Sequence, residues 1–473
     1  MKRTVILSIL LALAGCATMR GAPHVGPAPD PGSKEDDAYA TYLSARFAAN
    51  EHDLAQAAHY YSQSLNNDPG DPTLLAMSFF YSATIGDFDA AGRYATRLVA
   101  ATPGDRAARL TLAVIAFKHK DYAAVRKNLS LSDKGPYTGL TISLFDAWAA
   151  AATHDEAAVT KDLAALAAEK GAENMAAYHA ALLADYLGKA GAAETAYKKA
   201  LAANVVTPRV LDAYGRFLET HGRAVEAEAL YRRHQGQTGL AVVTGPGIAR
   251  IAAGQKAEPL IRTPEDGAAE ALFGIAASLT DPQSADSSIL YLRMAMYLRP
   301  DLTLGNVLLA DRFETLHKFE EAIAIYHAIP TDSPYYRIAA QQAALDESRL
   351  NKDAAAIADL KKLVASAPND AESWIALGDA YRGAERYDLA VSAYDSAEKA
   401  LGTPTKKDWT LYYARAMAQE KLHRLGESED DIRTALKLSP EQPELLNYLG
   451  YSLVDRSRNI PQALAMLEKA RSL

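Results

Sequence analysis

Catalysis or metal binding in this chain would have to be assembled from eleven histidines, fifty-eight carboxylates and one cysteine. The histidines (His24, His52, His59, His119, His154, His179, His221, His234, His317, His327 and His423) fall singly along the sequence. No HExxH run sets two imidazoles one helical turn apart beside a general base. Cys16 has no second cysteine with which to share a zinc ion or close a disulfide within the chain. Gly245-Pro246-Gly247 lacks the GKS or GKT ending of a loop that cradles phosphate. His154-Asp155-Glu156 falls at a turn between helices and reads as a solvated helix start. The residues therefore predict no enzyme, no cofactor and no metal site. A small-ligand binder would need a deep polar pocket, for which 239–262 is the candidate region.

Cys16 points to a different chemistry. Met1-Lys2-Arg3 is a short basic start, residues 4–13 are apolar, and Leu13-Ala14-Gly15-Cys16 follows. Such a segment reads as a secretory signal, too short for a stable membrane span. Its LAGC ending resembles the bacterial lipoprotein signal. That resemblance implies removal of residues 1–15 and acylation of Cys16, which becomes the first residue of the mature chain. Ala17, in place of Asp, implies the outer membrane, with the protein on its periplasmic face. Residues 16–37 then form the lipidated cysteine and a Pro/Gly-rich tether. A coil of about 20 residues reaches on the order of 25 Å. Without Lys2 and Arg3 the formal charge of −8 becomes about −10, and no basic stripe exists to hold nucleic acid.

What positions every other residue is a repeat. Pro69 and Pro103 stand 34 residues apart, and small and apolar residues keep the same step. The unit is plainest in 370–400, DAESWIALGDAYRGAERYDLAVSAYDSAEKA. Counted from Ala371, Trp374, Leu377, Gly378 and Tyr381 occupy positions 4, 7, 8 and 11 of a first helix. Ala390, Tyr394 and Ala397 occupy positions 20, 24 and 27 of a second. Each set shares one helical face. Positions 8 and 20 must be small, because the antiparallel helices approach there; the aromatics fill the wider gaps between hairpins. A proline near position 32 ends the second helix. These residues resemble the tetratricopeptide repeat, which implies helical hairpins stacked into an all-α, right-handed superhelical solenoid.

The frame runs from Ala38 through Pro72, Arg106, Leu140, Asn174 and Pro208. Position 8 reads Ala45, Phe79, Ala113, Ala147, Ala181 and Gly215; position 20 reads Ala57, Ala91, Val125, Val159, Ala193 and Ala227. Tyr61, Tyr197 and Tyr231 sit at position 24. The phase then breaks across a stretch holding Gly245-Pro246-Gly247, Pro259 and Pro264, and resumes at Ala269, Thr303, Arg337, Ala371, Trp409 and Pro443. About twelve hairpins are expected: an N-terminal block at 38–241, an irregular connector at 242–268, and a C-terminal block at 269–473. The connector's Val and Ile residues need burial, which favours a packed excursion over a free hinge. The final helix, 460–473, carries Leu464 and Leu467 with no polar cap after it. Either further repeats or a docked partner would be expected to cover that face.

A solenoid of this kind offers a concave wall made of first-helix positions 2, 5, 9 and 12. The candidate partner-binding residues there are Glu372, Asp379, Arg382, Tyr413, Met417 and Asn447 in the second block. In the first block they are Tyr178, Arg209, Asp212 and Arg216. The Lys/Asn/Arg clamp by which some such repeats hold a C-terminal carboxylate is missing, and only Asn447 matches in kind. Tyr and Met with charges of both signs suit a protein or peptide ligand. The last third, including NYLGYSLVDRSRNIPQALAMLEKA (447–470), is similar to a widespread class of proteobacterial outer-membrane lipoproteins built from these repeats. The class implies a periplasmic adaptor that binds a carboxyl-terminal processing protease and presents peptidoglycan hydrolases to it. The alternative is a structural part of an envelope machine for exopolysaccharide export, pilus biogenesis or outer-membrane protein assembly. Oligomeric state is not legible.

Overall fold

The computed structural model describes residues 34–473 except Pro136, 203–205 and Thr238. The expected signal, Cys16 and nearly all of the tether lie outside the described residues. Within them the regular structure is all helix, with twenty-five α-helices, two short 3-10 turns and no strand.

The first block pairs α1 (Lys34–Asn50) with α2 (Leu54–Asn67), α3 (Pro72–Ile85) with α4 (Phe88–Ala101), and α5 (Arg106–Lys118) with α6 (Tyr122–Ser130). It continues through α7 (Thr138–Ala152) with α8 (Glu156–Ala168), α9 (Glu173–Tyr186) with α10 (Ala190–Leu201), and α11 (Pro208–Thr220) with α12 (Ala224–His234). One unpaired helix follows, α13 (Ala241–Ala252). The second block pairs α14 (Pro264–Ser278) with α15 (Ala285–Leu298), α16 (Thr303–Thr315) with α17 (Phe319–His327), and α18 (Tyr336–Arg349) with α19 (Asp353–Ser366). It ends with α20 (Ala371–Gly383) and α21 (Tyr387–Leu401), α22 (Trp409–Lys421) and α23 (Leu425–Leu438), and α24 (Pro443–Asp455) and α25 (Ile460–Ser472). Twelve hairpins and one odd helix result.

Local chemistry sets the 34-residue step. Each hairpin tip turns on a residue with positive φ: His52, Gly86, Lys120, His154, Gly188 and Gly222 in the first block. His317, Asn351 and Glu385 continue the step in the second block, and His423 and Ser457 resume it after the unit starting at Ala371, which runs 38 residues to Trp409 instead of 34. Asp53, Asp87, Asp121 and Asp155 come next and cap the second helices, each accepting a hydrogen bond from the backbone N–H three residues on at 2.9–3.0 Å. Four of the scattered histidines are thus turn residues.

The packing positions behave as their sizes require. Ala45, Ala113 and Ala181 are fully buried, as are Ala57, Ala91, Ala193 and Ala227. A methyl group added at Gly378 would come within 2.4 Å of the Tyr394 ring, and one at Gly215 within 2.1 Å of the Tyr231 hydroxyl. The buried position-24 tyrosines need an acceptor, and the preceding helix supplies it at position 12. Tyr231 donates to Glu219 Oε1 at 3.0 Å, Tyr326 to Glu314 Oε1 at 2.7 Å, and Tyr197 to Asp185 Oδ2 at 3.4 Å. Position 12, read in the sequence as groove wall, is partly spent inside the hairpin.

Two features depart from the sequence reading. The connector is not irregular throughout: residues 241–252 form α13, which stacks on α11 and α12. Its Gly-Pro-Gly segment lies against an aromatic ring, and a side chain at Gly247 would meet Tyr231 at 2.5 Å. The second block also does not simply extend the first. After an extended stretch in which Leu260 and Ile261 are buried, α14 packs on α7 and α9, and α15 packs on α3 and α5. The first hairpin of the second block therefore lies inside the groove of the first.

Candidate partner-binding groove

α14 shows why it can occupy that position. Nearly every residue from Asp266 to Ala276 is buried, so it is enclosed on all sides, as a helix apolar around its circumference should be. Gly267 lets it approach α7, since a Cβ there would meet Trp148 at 2.3 Å. On α15, the Arg293 Nε donates to the Thr84 carbonyl at 3.0 Å, while Lys118 Nζ reaches back from α5 to the Leu298 carbonyl at 3.1 Å. Tyr297 lies against Phe88 with ring centroids 4.5 Å apart.

The first-block candidates are drawn into this arrangement. Glu270 accepts hydrogen bonds from the Tyr178 hydroxyl at 3.0 Å and from Arg209 Nε at 2.9 Å, and a second Arg209 nitrogen closes the fork. Burial pushes the Glu270 carboxyl up, but Arg209 outweighs it and holds the group below the ordinary glutamate range. His179 beside it, accepting from Trp148 Nε1 at 3.2 Å, is lowered by burial to about 4. Tyr178 and Arg209, expected to face a partner, face the chain's own α14. Their partner Glu270 is itself at position 2 of its repeat, so one groove wall meets another. Asp212 and Arg216 pair at 2.7 Å, and Arg216 also donates to the Glu258 carbonyl at 3.3 Å. Both line a cavity of about 460 Å³ where α11, α13 and the extended stretch converge on the start of α16. It overlaps the 239–262 region in which a small-ligand binder would need its pocket. Its arginines are engaged by acids: Arg250 with Glu219, and Arg262 and Arg299 with Asp266 and Asp301.

In the second block the inner wall beyond α18 is open. Glu372 is exposed on α20, with Lys407 4.0 Å away. Asp379 and Arg382 are part-exposed and joined at 3.2 Å, and Asp379 also takes the Tyr394 hydroxyl at 2.7 Å. Burial works against the Arg382 charge, yet Tyr394 and Asp379 leave its pKa raised. On α22, Met417 packs partly against the core, and Tyr413 meets Tyr448 edge-on at 5.7 Å. Tyr448 donates to Glu420 Oε2 at 2.6 Å. Asn447 and Tyr451 are exposed next to it. Tyr413, Glu420, Asn447 and Tyr451 line a cavity of about 570 Å³, and Asn447, Tyr451, Leu464 and Leu467 line a neighbouring one of about 590 Å³. The structure thus gathers Tyr413 and Asn447 at one place and holds Asp379 and Arg382 on an adjacent repeat.

A family model described as the tetratricopeptide repeat matches residues 83–124, 178–240 and 342–403. A TPR repeat-containing protein of Pseudomonas aeruginosa is 36% identical over 67 residues, 14% of this chain and 11% of that relative's length. Among solved structures, the Cut9–Hcn1 hetero-tetramer of the APC/C aligns over 93% of both chains with 14% identity and a TM-score of 0.38. MamA aligns over 35% of this chain and 93% of its own, with 17% identity and a TM-score of 0.31. A thermophilic TPR protein of Thermus thermophilus covers 36% of this chain and 89% of its own, with 21% identity and a TM-score of 0.30. The chain carries tetratricopeptide repeats and is an all-α superhelical solenoid of them, a scaffold suited to binding other proteins.

Proposed function

We propose that this protein is a lipid-anchored adaptor on the periplasmic face of the outer membrane, binding protein partners along the inner wall of α20, α22 and α24. The observation that carries the reading is the contrast between the two grooves. The first is filled by α14 and α15, whereas the second presents Asn447, Tyr451 and Tyr413 beside adjoining cavities. An aromatic and amide surface with charges at its rim suits a polypeptide ligand. No helix among the described residues is long and apolar enough to cross a membrane, and attachment rests on Cys16 and the signal pattern before it. As the partners we propose a carboxyl-terminal processing protease and the peptidoglycan hydrolases it degrades. Holding both on one scaffold raises their effective concentration without chemistry by the scaffold itself.

A photo-crosslinkable residue placed at Asn447 tests this in membranes. Recovery of a protease or cell-wall hydrolase at that position, and not from a control position at Val225 on α12, supports the proposal. Recovery of neither, or equal labelling at both positions, overturns it. Recovery of export or assembly components instead would favour the envelope-machine alternative. Replacing Cys16 with Ser should release the protein from the membrane fraction.

A further inference from the structure

Position 11 of the repeat is a packing position. It is Phe313 in the unit before α18 and Tyr381 in the unit after, and no unit other than the one starting at Arg337 places a charged residue there. That unit has Glu347, a buried carboxylate only 6% exposed at its side chain, whose Oε2 has no hydrogen-bond partner. An enclosed charge with an unsatisfied oxygen is costly unless something compensates it. Two groups from neighbouring helices converge on the same point. His327, closing α17, puts Nε2 3.8 Å from Glu347 Oε1 and 3.1 Å from Asp359 Oδ2 on α19. One donor atom from each residue falls within 4.8 Å of the others. The second Asp359 oxygen is held by Lys362 at 2.7 Å, which turns Oδ2 toward the imidazole.

We propose that His327, Glu347 and Asp359 form a binding site for a divalent transition-metal cation, with zinc as the representative ion. Imidazole nitrogen and carboxylate oxygen are ordinary zinc donors, and two donors each about 2.1 Å from an ion lie roughly 3–4 Å apart. The two distances from His327 Nε2, 3.1 and 3.8 Å, fall in that range, and the two carboxylates lie within 4.8 Å of each other. The cation supplies the buried Glu347 with a direct positive partner, which Lys352 and Lys362, acting on it only from a distance, do not. Its place in the fold gives it a consequence. The apolar core divides along α18, with Ala339 and Ala343 in the large N-terminal core and Ala344 in the next. A cation held by α17, α18 and α19 would pin those three helices across that seam. It would set the angle at which the open groove leaves the self-filled block.

The sequence hides this site because its ligands are 20 and 12 residues apart and match no metal motif. The test is calorimetric titration of the EDTA-stripped full chain with zinc chloride at neutral pH, on the wild type and on His327→Ala, Glu347→Gln and Asp359→Asn. The expected result is one zinc per chain, with affinity lowered about tenfold or more in each variant. Zinc should raise the melting temperature of the wild type, EDTA should reverse the rise, and Glu347→Gln should neither respond nor be less stable than metal-free wild type. Circular dichroism confirms that each variant is folded, and the near-isosteric Gln and Asn changes keep the test decisive if His327→Ala misfolds. The proposal is overturned by absence of stoichiometric binding at about 100 µM zinc. It is equally overturned by affinities within twofold of wild type in all three variants, which would place the zinc on other histidines.

Discussion

Glu270 shows what a single side chain contributes here. Its carboxylate joins α14 to α9 and α11 through Tyr178 and Arg209. Replacing it with Ala leaves Arg209 enclosed beside an empty acceptor position. A loss of about 3 kcal/mol or more follows, read from urea denaturation of the purified protein. Asp146 on α7 acts in the opposite sense. Burial, reinforced by Asp162, pushes its carboxyl from 3.8 up to about 6. The folded state thus holds a proton that the unfolded state releases, and stability drops as pH rises from about 4 through 6. Asp146→Asn should melt above the wild type at pH 7.5, with the gap closing near pH 4.5. An equal gap at both values would remove titration as the cause. At this scale the sequence was half legible. The repeat frame says that Tyr178 and Arg209 line a groove; it does not say what lies across from them.

Helical elements were the most readable level, because each repeats a local rule. Alanine and glycine at positions 8 and 20 mark where two helices touch, and the structure buries them there. Of the four turn histidines, only His154 stands out in the sequence as lying at a turn. His154 adopts φ 55°, a conformation that costs a non-glycine residue about 1 kcal/mol. His154→Gly should recover part of that and raise the urea midpoint, whereas the same change at an α8 surface position such as Lys161 should lower it. One element and one placement depart from the sequence reading, each for a physical reason. The Gly-Pro-Gly run of α13 looks like a helix breaker, but its small residues seat the helix on Tyr231. In α14 the sequence GAAEALFGIAA is small or apolar around nearly the whole circumference, a sign of enclosure on every side. Gly267→Val should unseat α14 from Trp148 and expose the first groove, seen as faster hydrogen exchange in α7 and α9.

For the whole molecule, the expected count of twelve hairpins and the all-α solenoid hold, while their arrangement could not be read from periodicity. A repeat gives the contact between neighbours; a fold-back depends on surfaces more than a hundred residues apart. Stability in an ordinary solenoid is roughly a sum over neighbouring units. Here one large apolar core runs from α1 into the first part of α18 and includes α14 and α15. A small cluster of α7, α8, α9 and α14 lies beside it, and the remaining hairpins carry smaller cores. Calorimetry should show a cooperative transition for the first part and a separate, broader one for α18 to α25. A single sharp peak would contradict that division.

The bond from Arg293 to the Thr84 carbonyl closes a loop of 209 residues, and this bears on how the protein comes into being. A growing chain makes its early hairpins long before α14 and α15 emerge to fill them, so the wall around Thr84 must wait uncovered until Arg293, 209 residues further on, has been made. Holding the nascent segment unfolded, or shielding it with a chaperone, is therefore a requirement built into the topology, and slow closure of this loop should set the refolding rate.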